Sequence, residues 1–387
     1  MIYLDNNAST RPAPEVLEAV CQALDGLYGN PSSGHEYGFL ARARIEWARQ
    51  RVAALIGAGP AEVYFTSGAT ESNNIAIFGA AALARDLFPG GGPGHMISQQ
   101  TEHPAVLNPL KALQGRGVEV TLLPVDGNGA VSLEALEKAV RPDTALVTIM
   151  HANNETGVIQ PISDAVRICR AKNPKTLFHT DAAQSAGKIP VDIGALGVDV
   201  LSIAAHKFHG PKGIGALYVK KGLPLKNVIM FGAGHEKGMR PGTENTPYIA
   251  GLGAACELAE KELPLRMERL GRLRGTLSGL LAGTVPGMKI NGGAAEKRLP
   301  NTLNISIPGV DGNLLVEALK DSVAISAGSA CHEGRKSPSP VLKAMGASDE
   351  DAFSSVRITL GRENTEKEIK EAAEALRIAA LRLVRAR

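Results

Sequence analysis

The chain has 387 residues, 44% hydrophobic and 21% charged, with 42 Lys and Arg against 39 Asp and Glu for a net charge of +3. At roughly 150 residues per domain this length suggests two or three domains, and the composition excludes bulk disorder and a disulfide-built miniprotein. So small a charge argues for neither nucleic acid nor an anionic membrane surface as partner, and no run approaches the roughly 18 apolar residues of a membrane span. In chain order, Ile2–Leu4 reads as a short strand before a Pro-rich turn, and Glu36–Ile56 as a long helix. Short apolar runs then alternate with helical patterns. The runs are Val63–Thr66, His95–Ser98, Glu119–Leu123, Ala145–Met150, Thr176–His179, Val200–Ile203 and Gly215–Val219. The helices are Thr70–Asp86, Ala105–Gln114, Leu133–Val140 and Asp164–Lys172, followed by a long one at Ile249–Leu281. Such alternation means an α/β sheet of parallel strands with helices on both faces. Pro89–Gly94 reads as a surface loop.

After about residue 260 the pattern changes. Asn301–Ile307, Ala324–Ser326 and Ser355–Thr359 read as strands, Leu314–Leu319 and Glu366–Arg387 as helices. The expected organisation is a large domain at 14–259 and a smaller α+β domain from 1–13 and 260–387. The start, Met1–Thr10, has neither the basic nor the apolar region of a secretory signal, so the cytoplasm is the expected compartment.

The four cysteines form no CxxC pair, so no metal site and no thioredoxin-type couple is expected. Cys21, Cys169 and Cys256 lie in helical patterns and read as core or helix-packing residues. Cys331 differs. It sits in the small, polar stretch Ser326–Gly334, placed for exposure, where a thiol is reactive. The phosphate loop GxxxxGK[ST], a GxGxxG after a strand and the GxSxG elbow are all absent.

Several motifs follow strand ends. Phe65–Glu71 is strand, glycine turn and helix start; Ala69 and Thr70 would bring backbone N–H groups and a hydroxyl to an anion, although Ser67 or Thr70 also reads as a plain helix cap. Asp181 in Thr180–Gln184 stands at the ligand-binding edge of a parallel sheet, or caps a helix. Lys207 lies between a strand and a Gly-Pro turn, His103 lies in Thr101–Pro104, and Asn154 in Asn153–Gly157; each has a bland reading as a surface or turn residue. Together they supply an anion cradle, a flat ring, an Asp, a Gln and a Lys, which is the set that a pyridoxal phosphate enzyme requires.

With these motifs in order, and with Tyr3–Thr10, Gly29–Ser33, Gly238–Asn245 and Val356–Arg362 beside them, the chain resembles the cysteine desulfurases of the NifS/IscS type, of the class V aminotransferase family, over essentially its whole length. The resemblance implies the type I fold of pyridoxal-phosphate-dependent transferases, with a mostly parallel seven-stranded sheet in the large domain. It implies pyridoxal 5'-phosphate as cofactor, L-cysteine as substrate, L-alanine as product, and a homodimer with shared active sites. Lys207 matches the lysine that bonds the cofactor, Asp181 the partner of its ring nitrogen, and His103 the residue stacked on the ring. Asn154 and Gln184 match the ligands of the ring's phenolic oxygen. Ala69, Thr70 and His206 match its phosphate side, and Thr243 a phosphate ligand from the second subunit. Arg357, with Asn154, matches the group that binds the substrate carboxylate, and Cys331 the thiol that takes the sulfur for an acceptor protein, an iron–sulfur scaffold among the candidates.

Departures from the pattern are Ala204, where relatives often carry a phosphate-binding Ser, and His332 after the reactive Cys. His332 and Arg240–Pro247 are closer to the selenocysteine lyases of the same fold, whose substrate these residues do not separate from L-cysteine. The C-terminal extension with which some relatives dock a scaffold is expected to be short. A non-catalytic scaffold would be expected to lack Lys207, Asp181 or Cys331, and all three are present.

Overall fold

The structure is a computed structural model describing residues 1–87, 94–328, 330–332 and 335–385. Its strands, in order, are β1 (Ile2–Tyr3), β2 (Val63–Thr66), β3 (His95–Gln99), β4 (Glu119–Leu123), β5 (Thr144–Thr148), β6 (Leu177–Asp181), β7 (Val200–Ala204), β8 (Gly215–Val219), β9 (Lys289–Asn291), β10 (Thr302–Ser306), β11 (Val323–Ala324), β12 (Ser326–Ala327), β13 (Ala330–His332), β14 (Arg335–Ser337) and β15 (Ser355–Thr359).

Seven strands make the main sheet, in the order β2-β8-β7-β6-β5-β3-β4. Strands β3, β5, β6, β7 and β8 are buried along their whole length, as strands covered by helices on both faces must be. Pairing is parallel from β4 through β7, and β8 runs antiparallel between β7 and β2. Two reversals leave β2 pointing the same way as β7. The carboxyl ends of β2, β3, β5, β6 and β7 therefore share one edge, where ligands of open α/β sheets bind.

The helices between them have local causes. Pro104 and a His103 cap start the helix Pro104–Gln114, and Gly57, at φ 68°, ends Glu36–Ile56 in the left-handed conformation that glycine tolerates. The helix Pro14–Gly26 was not legible in the sequence; a proline in its first turn starts it. One helix, Thr246–Ala282, joins two cores. Its first half packs Ile249, Leu252 and Cys256 with Ala13, Ile45 and Phe178. Its second half packs Leu270, Leu273 and Leu277 with Leu4, Ile305, Ile358 and Leu376.

Around that second core lies the antiparallel sheet β12-β15-β10-β9. The strand expected at Ala324–Ser326 divides at Ile325. β11 pairs with β1, and β12 pairs with β15. The stretch around Cys331, read as small and polar, contains β13 and β14 paired antiparallel, with Cys331 opposite Lys336. Cys169 and Cys256 are buried as expected, whereas Cys21 is exposed, contrary to its reading as a packing residue. Its helix buries Val16, Ala19 and Ala23, and position 21 falls off that face. The glycine-rich stretch at 89–93 lies outside the described residues.

Candidate active site

At the shared strand edge a cavity of about 620 Å³ gathers Ala69, Thr70, His103, Asn154, Asp181, Gln184, Ala204, His206, Lys207 and Arg357. They arrive from the ends of β2, β3, β5, β6 and β7 and, for Arg357, from the second sheet. β2 turns through Gly68 into the helix Ala69–Leu87. The N–H groups of that helix's first turn have no acceptor within the helix. A Cβ added at Gly68 would meet no atom within 4 Å. This leaves room for an anion against the helix N-terminus, where the dipole and the free N–H groups favour one.

Asp181 ends β6 and is buried. Asn73 Nδ2 donates to its Oδ2 at 2.7 Å, and the Ala183 N–H donates to its Oδ1 at 2.9 Å. Asn73 Oδ1 is buried without a partner among the described residues. Lys207 closes the 3-10 turn after β7. Its Nζ donates to the carbonyls of Asn7 at 2.8 Å and Ala8 at 2.9 Å. Burial, and then the charge of Arg357, bring this lysine down to about 8. Part of its population is thus an uncharged, nucleophilic amine near neutral pH. Gln184 Nε2 donates to the same Asn7 carbonyl at 2.9 Å.

His103 lies between two roles. Its Nδ1 accepts the Ala105 N–H at 3.0 Å, capping the following helix. That bond puts the proton of a neutral imidazole on Nε2. Burial pushes the ring below its ordinary value, so it is a neutral Nε2–H donor. Beside it, Glu102 is fully buried and driven up to about 8 by burial, which keeps it a neutral acid at pH 7. Its Oε1 accepts from Met150 N at 2.6 Å and Gln99 Nε2 at 3.0 Å. His206 Nδ1 contacts Ser9 Oγ at 3.2 Å, and burial, followed by Lys207, lowers this ring to about 4.

Arg357 stands on β15 with an Nη donating to Asp5 Oδ1 at 2.7 Å and to Ser326 Oγ at 3.0 Å. Its other Nη reaches the Asn154 carbonyl at 3.3 Å, while Nε is buried and unpartnered. Arg357 lines the cavity, and a guanidinium there suits a carboxylate.

Thr243 is exposed and does not line this cavity. The side chains of Cys331 and His332 lie outside the described residues. Sequence reasoning passed over Asn73, Glu102, Asn7 and Lys188. Asn7 stood inside the quoted Tyr3–Thr10 motif, but only the fold shows that it touches both lysines.

The residues present fit pyridoxal phosphate. The open helix N-terminus could take a phosphate, the buried Asp181 carboxylate could partner a protonated ring nitrogen, and the Lys207 amine could meet an aldehyde. Among the described residues no group of His, Cys, Asp and Glu could hold a metal ion, and no helix is long and apolar enough to cross a membrane.

A family model described as aminotransferase class-V matches residues 2–371. The cysteine desulfurase IscS of Aeromonas hydrophila is 46% identical over 380 residues, which are 97% of this chain and 92% of that protein. The cysteine desulfurase of Homo sapiens is 44% identical over 375 residues, 96% of this chain and 80% of that protein. A solved structure named NifS-like protein superposes with a TM-score of 0.89 at 40% identity, over 97% of this chain and 98% of that one.

Proposed function

The chain belongs to the class-V aminotransferase family, and within it to the cysteine desulfurases of the NifS/IscS type; on that footing we propose how its residues divide the reaction. The enzyme converts L-cysteine to L-alanine and hands the sulfur on for iron–sulfur cluster or thio-cofactor synthesis. The observation that carries the division of labour is the single cavity joining Lys207, Asp181, His103, Gln184 and Arg357.

Pyridoxal phosphate, when bound, supplies an aldehyde for amines and a ring that draws electron density from the substrate Cα. Thr70, His206 and the N–H groups at the start of the helix Ala69–Leu87 would hold its phosphate, with Thr243 reaching over from a second copy of the chain. Asp181 would keep a proton on the ring nitrogen, and His103 would lie beside the ring. Gln184 and Asn154 would bond the phenolic oxygen. Arg357 grips the substrate carboxylate, a bidentate task that suits its planar fork. The Lys207 amine, already partly uncharged, takes the proton from Cα.

The Cys331 thiolate then attacks the cysteine sulfur. An S–S bond forms and the substrate C–S bond breaks. The electron pair stays on the carbon skeleton, which takes a proton at Cβ, regains at Cα the one that Lys207 removed and leaves as alanine, and the persulfide remains on Cys331. His103, a donor at Nε2, gives a proton during this sequence and takes it back.

In this reading residues 14–259 form the cofactor-binding domain, and residues 1–13 and 260–387 a smaller one carrying Cys331. The separate cores around Phe178 and around Ile305 support the division. A homodimer, an acceptor protein for the sulfur and a cytoplasmic setting complete it. The test is peptide mass spectrometry after L-cysteine without reductant. One extra sulfur on the Cys331 peptide, with alanine released, is the expected result. An unmodified peptide with slow alanine release would turn the reading towards selenocysteine lyase chemistry.

A further inference from the structure

Lys188 is buried four residues after Gln184, outside the cavity lining. Its Nζ donates to Gln184 Oε1 at 2.6 Å and to Asn7 Oδ1 at 2.8 Å. No carboxylate among the described residues pairs with it. Burying an amine against amide oxygens alone carries a desolvation penalty that a Met at this place would not. Burial, with the charges of Lys207 and Arg357, holds this lysine well below its ordinary value. Two side-chain amide oxygens, Gln184 Oε1 and Asn7 Oδ1, receive its N–H groups.

These two acceptors are the ones that arrange the cavity. The Asn7 carbonyl receives both Lys207 Nζ and Gln184 Nε2. Asn7 is tied further through Nδ2 to Thr302 Oγ1 at 2.9 Å. The two ends of the Gln184 amide have nearly the same shape, so only their partners decide which end faces where. A donor at Oε1 fixes the oxygen on the buried side and leaves the NH₂ towards Asn7 and the cavity.

We propose that Lys188 is a positioning residue of this site: by donating to Gln184 Oε1, it sets the orientation of the Gln184 amide, whose NH₂ then faces the Asn7 carbonyl and the cavity. This role rests on the pyridoxal phosphate reading given above.

The test is a double-mutant cycle on the dissociation constant of pyridoxal phosphate, read by equilibrium dialysis of the full chain. Lys188→Met is expected to weaken binding about tenfold, the effect of roughly one lost hydrogen bond to a buried acceptor. Gln184→Leu weakens it as well, and Lys188→Met adds little in the Gln184→Leu background, because the lysine acts through the amide. Losses that multiply in the double variant, or wild-type affinity in Lys188→Met, would overturn the role. If Lys188→Met does not fold by circular dichroism, Lys188→Gln, which keeps one donor, takes its place. A loss of about threefold that vanishes when residue 184 is Leu then supports the role, and an equal loss in both backgrounds overturns it. Wild-type protein that binds no pyridoxal phosphate would overturn the underlying reading and this role with it. Wild-type binding together with an additive cycle would overturn the role alone.

Discussion

Asn73 donates from its side-chain amide to Asp181 Oδ2 at 2.7 Å. A helix that begins after β2 thus aims a carboxylate that ends β6, with the second oxygen held by the Ala183 N–H. Asp181→Ala should still bind pyridoxal phosphate weakly yet fail to exchange the α-hydrogen of L-cysteine with solvent deuterium. Asn73→Ala keeps the charge but frees its direction, and should lower exchange about tenfold, the effect of one hydrogen bond to a charged group. Mass spectrometry of recovered cysteine in D₂O reads both, and normal exchange in Asp181→Ala would contradict the assignment.

Lys207→Ala should lose turnover by about 10³-fold or more, as removal of a group in the chemical step does. It should also lose the visible absorbance of bound pyridoxal phosphate. Retained turnover would mean that another amine does the work, with Lys212 on the same cavity the first to examine.

Cys331→Ala should keep that absorbance, because the cavity residues that hold the cofactor are unchanged. Persulfide on the protein and sulfur delivery to an acceptor should both vanish. Full delivery by this variant would remove Cys331 from the mechanism.

Arg357→Lys retains the charge near Asp5 but replaces a two-pronged donor with a point charge. KM for L-cysteine should rise about tenfold with kcat changed less, the pattern of lost uniform binding. Steady-state kinetics separate this from a fall in kcat at constant KM, which would place Arg357 in the chemical step instead.

Glu102 carries a pH signature. Its folded value of about 8 lies above the ordinary 4.5. Below 4.5 both states hold the proton. Between 4.5 and 8 the unfolded chain releases it while the fold keeps it, so stability falls as pH rises through that window and levels off above it. Glu102→Gln copies the shape of the neutral acid and does not titrate. Denaturant titrations should show its stability declining less steeply than wild type across this window, by up to about 1.4 kcal/mol per pH unit. Parallel pH profiles would mean that Glu102 is ionised in the fold.

Much of the fold was legible because its signals are local. The apolar runs at 63–66, 119–123, 215–219 and 355–359 match their strands end for end. The long helix Glu36–Ile56 does likewise. Such runs lie between turn residues and need no distant partner to be recognised. The helix Pro14–Gly26 was missed because its apolar face is mostly small alanines. The division of 323–327 was missed because β11 and β12 choose different partners, Ile2–Tyr3 and Val356–Arg357, and a choice of partner is a long-range event.

The site divides along the same line. By itself the sequence determined the family and singled out the candidate lysine, aspartate and arginine, because a motif is a local property of the chain. Tertiary structure alone decided that the Asn7 carbonyl would receive Lys207 and Gln184 while its side chain receives Lys188. It also decided that Arg357 would be bound to Asp5, 352 residues away. These contacts depend on burial and on the packing of β15 and the first residues against the strand edge. Burial and then the charge of Arg357 lower the proton affinity of Lys207, and desolvation exists only once the chain has closed over the group.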